Sequence, residues 1–140
     1  MLNSRDFLDF FCYNFYGGTM NDIDNLLDSL SKTKFRGSFH LNSKMKEYVK
    51  DKGIDKIREH AFDMVNGRLK ILLSNDGKQT PMRQVHPVFI AMHATGCCCR
   101  GCLNRIHHIS KDKELNDEEI NYICKVIMRW IEREMENGSN

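Results

Sequence analysis

The amino-acid sequence predicts an all-α fold, a compact single domain of five or six helices around a Cys/His metal site. Two observations predict the helices. Apolar residues recur three and four positions apart through most of the chain, and these runs begin at capping residues and stop at glycines or turns. A third observation predicts the site: four of the six cysteines lie between positions 97 and 102, with histidines at 93, 107 and 108.

Asn21-Asp22 is a good helix start, and Ile23, Leu26, Leu27 and Leu30 follow at helical spacing, so a helix is expected over about 22–31. The alternation of Phe35, Phe39 and Leu41 predicts extended chain. Asn42 or Ser43 then caps a short helix with Met45, Tyr48 and Val49, ended by Gly53. The stripe Ile54, Ile57, Ala61, Met64, Val65 and Leu69 predicts a helix over 54–69, with His60 at the border of its buried face. Asn75-Asp76-Gly77 and Thr80-Pro81 mark an exposed loop. His86-Pro87 opens the next helix, since proline suits its first position, and Gly96 closes it. The cysteine run begins a further helical segment with Leu103 and Ile106. Asn116 and Glu119 form a capping-box variant before a last helix whose apolar face is Ile120, Ile123, Cys124, Ile127, Trp130 and Ile131.

Composition narrows the function classes. At 140 residues the chain has room for one core, with 41% hydrophobic and 29% charged residues. No window approaches the ~18 apolar residues of a membrane span. A net charge of +2, from Lys and Arg scattered along the chain, gives nucleic acid little support as a partner. Clustered cysteines would close almost no loop if oxidised, so they are read as reduced thiols in the cytoplasm serving metal or redox chemistry. Residues 1–19 lack the basic start and cleavage site of a signal peptide. Gly17-Gly18-Thr19-Met20 could encode a ribosome-binding purine run before a start codon. Residues 1–19 are therefore read as a mis-assigned leader or disordered extension, and 20–140 as the helical domain.

Within the cluster, Cys99-x2-Cys102 lets two thiolates converge at a helix start, and His107 follows with the spacing of the first three ligands of a zinc knuckle. A knuckle's fourth ligand would fall near 112, where Asp112 stands; His93 is the preferred replacement, with Cys98 next. Thiolate and imidazole together suit zinc, with iron as the competitor, whereas an iron–sulfur cluster more often takes four cysteines. Arg100 and the helix dipole are expected to favour the thiolate form. The plain alternative is that a lone Cys-x2-Cys in a helix is two buried small hydrophobes, but three adjacent cysteines, a fourth, and nearby histidines favour a metal. Outside the cluster, His60 is read as a core histidine or one that supports a ligand, and His86 as a helix cap. Arg68 is read as an ion-pair residue or part of a ligand pocket. Asp76 and Lys78 belong to a loop that is first a turn and second an anion-binding candidate. No Gly-x4-Gly-Lys phosphate loop, nucleophile elbow or His-Glu-x-x-His helix occurs.

The segments HAFDMVNGRL, NDGKQTPMRQVHPVFIAMHAT, CCRGCLNRIHHI and VIMRWI resemble the bacterial family known as domain of unknown function 4186, over about Phe35 to Ile131. Nothing before Met20 takes part. The family's motifs fall here on His60, His86, His93, Cys98, Cys99, Cys102 and His107. The sequence departs from the family in Asn104-Arg105-Ile106, where a basic residue and Trp are expected before the histidine, and in the additional Cys97 and His108. The resemblance implies which residues matter and no activity. Three functions remain: a binding or regulatory module with a structural zinc site, a metal-dependent hydrolytic enzyme with an open coordination position, and a thiol redox protein using Cys99 and Cys102.

Overall fold

The computed structural model describes residues 20–137, so the expectations for residues 1–19 and for the tail after Asn137 lie outside the described residues. Six α-helices and no strand occur among them: α1 Met20–Ser31, α2 Ser43–Lys52, α3 Ile54–Arg68, α4 Pro87–Thr95, α5 Arg100–His107 and α6 Asp117–Asn137, with a 3-10 turn at Arg36–Ser38. None is long and apolar enough to cross a membrane.

The helix boundaries follow from local chemistry. The Asn42 side chain accepts from the Met45 N–H at 2.9 Å and starts α2. Gly53, at φ +86°, ends it and lets the chain turn into α3. Asn116 and Glu119 exchange backbone and side-chain bonds of 2.8 and 2.9 Å, the reciprocal box expected at the start of α6.

All nine residues of α4 are buried, as a helix without a polar face must be. It packs on α6, which also carries α3. One apolar core joins Ile23 and Leu27 of α1, Ile57, Ala61 and Val65 of α3, Ile90 of α4, and Ile123, Ile127 and Ile131 of α6. Asp24 tethers α1 to α6 through Arg129 at 2.7 Å, and Arg133 also reaches Asp24 and Asp28. The stretch expected as extended chain instead forms the 3-10 turn before it extends at Phe39. A Cβ on Gly37 would fall 2.1 Å from the Ser31 carbonyl oxygen, so only glycine lets the turn close against the end of α1.

Candidate metal centre

Gly96 ends α4 at φ +73°, and a Cβ there would meet Ile106 Cδ1 at 2.4 Å. The close approach of α5 thus needs glycine for space as well as for conformation. The chain bends through Cys97 and Cys98, and Cys99 becomes the N-cap of α5, its Sγ accepting from the Cys102 N–H at 3.3 Å. Cys-x2-Cys thereby occupies the cap and third positions of one helix, which explains why its sulfurs converge. Cys98 turns to the same side, and the sulfurs of Cys98, Cys99 and Cys102 all lie within 4.8 Å of one another. A tetrahedral ion with metal–sulfur bonds of about 2.3 Å holds its sulfurs about 3.8 Å apart. Small side-chain adjustments would close the trio around one ion, and all three residues are buried.

Two guanidinium groups face these sulfurs. Arg36, from the 3-10 turn, donates to Cys102 Sγ at 3.1 Å, Cys98 Sγ at 3.6 Å and the His93 carbonyl at 2.7 Å. Arg105 donates to Cys102 Sγ at 3.2 Å. Hydrogen bonds to Cys102, first from Cys98 and then from Cys99 and Arg36, pull its thiol down to about 4. Cys98 is pushed up because its proton is the one given to Cys102, and burial adds to the rise; burial is also the main cause of the rise at Cys99. The neighbouring thiols and Arg36 thus favour the thiolate form at Cys102 over Cys98 and Cys99.

Arg100, expected to favour the thiolate form, does not face the sulfurs. Its side chain is fully buried and points away from the sulfurs, donating to the carbonyls of Leu69, Lys70, Ser110 and Lys113 at 2.7–3.1 Å. Arg36, read as part of an extended segment, is the residue missed. The only signal was an arginine flanked by Phe35 and Phe39, and those rings prove to matter. Arg36 lies over Phe35, which meets Phe39 edge-on, and Phe39 stacks on His93 at 5.3 Å.

The two histidines expected as ligands are placed otherwise. Neither belongs to the three-sulfur group. His93 Nε2 lies 2.9 Å from the Thr80 carbonyl and carries its proton there. His107 Nε2 lies 2.8 Å from the Thr95 carbonyl and 3.5 Å from Cys97 Sγ, and Nδ1 lies 2.9 Å from the Tyr122 hydroxyl. Both nitrogens of His107 are thus committed, Nε2 as donor to the carbonyl and Nδ1 as acceptor from tyrosine. The knuckle spacing does not bring His107 into the three-sulfur group, because Thr95 and Tyr122 hold its ring. Burial keeps His107 below its usual range and pushes the Cys97 thiol up to about 12.

The loop after α3 is scaffolding for the site. Asp76 accepts from the N–H groups of Arg100 at 2.8 Å and Gly101 at 3.0 Å, covering the start of α5. Gln79 holds Asp76 and the Gly77 N–H, Arg68 donates to the Gln79 carbonyl, and Thr80 donates to the Cys98 carbonyl at 2.9 Å. Lys78 is exposed. Arg68, expected in an ion pair or a ligand pocket, also lies over the Phe89 ring at 4.7 Å.

His60 and His86 pair away from the cysteines. His86 Nδ1 caps α4 by accepting from the Val88 N–H at 3.0 Å, and its Nε2 lies 3.0 Å from His60 Nδ1. With Nδ1 accepting, the neutral His86 ring carries its proton on Nε2 and gives it to His60. Burial, then the neighbouring His60, brings His86 down to about 4.

The family model described as Domain of unknown function (DUF4186) matches residues 24–132. The chain belongs to this family. The DUF4186 span contains the whole site, from Arg36 through the three cysteines to Tyr122. No solved structure matches the chain.

Proposed function

We propose that the protein binds one thiophilic divalent ion, zinc first and iron second, through Cys98, Cys99 and Cys102, and serves as a small cytoplasmic binding or regulatory module. The observation that carries this reading is the convergence of three sulfurs within 4.8 Å. The donor set suits the assignment, since thiolates select zinc and iron over magnesium or calcium. Arg36 and Arg105 offset the negative charge that three thiolates bring to a divalent ion. Three sulfurs and no histidine in the group also favour a second reading, a site with an exchangeable fourth position, where zinc would supply Lewis acidity for hydrolysis. An open groove of about 980 Å³ does exist, but Lys52 at the end of α2 and Asp55 and His60 of α3 line it, and no cysteine does.

Elemental analysis of protein purified without added metal tests the reading. Near-stoichiometric zinc or iron is expected, lost in Cys98→Ala and Cys102→Ala and kept in His107→Ala. A metal-free parent with rapidly reacting thiols would overturn it and bring thiol redox chemistry forward.

A further inference from the structure

We propose that oxidation empties the metal site: a peroxide joins Cys99 and Cys102 in a disulfide, and the ion is released. The inference rests on the three-cysteine metal reading and names how that site is regulated. Cys98, Cys99 and Cys102 keep 6–7% of their surface exposed, whereas Cys97 keeps none, so a small oxidant reaches the cluster and not its neighbour. Cys99 is the cap of α5 and Cys102 its third residue. Helix positions three apart hold their Cα atoms about 5 Å from each other, inside the range that a disulfide spans. The two sulfurs already lie within 4.8 Å. Cys98 stands one residue before the cap, and adjacent cysteines bridge only by distorting the planar peptide between them.

Cys102 is the sulfur placed to react first. Arg36 donates to it at 3.1 Å and Arg105 at 3.2 Å, and Arg105 is exposed, where the oxidant arrives. With hydrogen peroxide, the Cys102 sulfur attacks one oxygen; an S–O bond forms, the O–O bond breaks, and hydroxide leaves beside the two guanidiniums. Donors held at that point stabilise the charge as it develops. Cys99 then attacks the Cys102 sulfur, so the S–S bond forms, the S–O bond breaks and a second hydroxide leaves. Two thiolates, one peroxide and two protons give one disulfide and two waters, with two electrons passing from sulfur to oxygen. Zinc has no redox chemistry of its own; it loses two of its three sulfurs and keeps only Cys98. The helix survives the change, because both oxygens of Asp76 hold the Arg100 and Gly101 N–H groups when the Cys99 cap is lost.

Zinc-loaded protein treated with hydrogen peroxide beside a coloured zinc indicator provides the test. Zinc is expected to appear in step with the mass of one disulfide, and fragmentation of the tryptic peptides linked across Arg100 to place it between Cys99 and Cys102. Reduction with a phosphine should restore zinc binding, and Cys97→Ala should release zinc as the parent does. Arg105→Ala is expected to slow the peroxide-driven release about tenfold or more yet to hasten release to a chelator, because positive charge facing the sulfurs is lost. Those opposite signs separate a part in the oxidation from a part in holding the ion. Zinc that stays bound while free glutathione in the same solution is oxidised, or that leaves without the Cys99–Cys102 disulfide, would overturn the oxidative release and spare the metal reading. Peroxide-driven release as fast in Arg105→Ala as in the parent would overturn Cys102 as the first sulfur. A parent that cannot be loaded with zinc would overturn both readings.

Discussion

Three consecutive cysteines face two different worlds. Cys97 turns inward to His107 and Tyr122, where burial keeps its thiol protonated and each histidine nitrogen has a fixed partner. Cys98 and Cys99 turn the other way and join Cys102 beneath two guanidiniums. The same side chain is a small hydrophobe on one side of the bend and a candidate ligand on the other. What differs is the set of hydrogen-bond partners: a backbone carbonyl and imidazole for Cys97 against arginine for Cys98 and Cys102.

Metal content breaks this comparison most sharply. Cys98→Ala and Cys102→Ala are expected to lose essentially all bound metal by elemental analysis, whereas Cys97→Ala retains it; equal loss in all three would erase the distinction. Next in size is Arg100→Met. Four carbonyls lose the arginine, the Lys70 carbonyl keeping its Leu115 N–H, and a cost of about 2–3 kcal/mol in urea unfolding is expected, because hydrogen bonds from a charged donor are the strong ones. Tyr122→Phe should cost about 1–2 kcal/mol by removing the donor to buried His107 Nδ1, with metal content unchanged. A loss of metal there would mean that the two faces are coupled.

The smallest effect is a pH dependence. An unfolded histidine titrates near 6.5, while folded His86 is held at about 4. Between those values the unfolded chain takes up a proton that the folded one refuses, so this contribution is complete above about 6.5 and fades as pH falls toward 4. Buried His107 is lowered as well and acts in the same direction. A Tm that falls over this range is expected, and His86→Asn, which still caps the helix, should flatten the fall without abolishing it. A slope identical in that variant would remove His86 from the account.

The sequence was most legible where structure is decided locally. Asn42, His86, Gly96 and the Asn116–Glu119 box act within four residues of themselves, and each marks the boundary it was read to mark. Cys99 and Cys102 were paired by spacing, because cap and third helix positions bring side chains together, and Cys98, read as the second choice after His93, lies with them. His93 and His107 stand outside that group, since spacing says how far along the chain a residue lies and not which groups its ring meets. Arg36 was beyond local reading altogether: its partners lie 62 and 66 residues away, and nothing near Phe35 announces them. Arg100 misled for the converse reason, being adjacent in sequence to the thiols and turned from them in space.

The three proposed ligands span only the five residues from Cys98 to Cys102. Ring closure over so short a stretch removes little freedom from an unfolded chain; the Arg36–Cys102 contact closes a span nearly four doublings longer, worth about 2 kcal/mol more in loop entropy. An ion held this way is a local clip on one bend, with little leverage over the rest of the chain. The bundle would therefore tolerate its loss and exchange, with its helices still joined through α4, α6 and the Arg100 clasp. The metal would come and go on a fold that stands without it, which is what a carrier or a sensor requires and a girder does not.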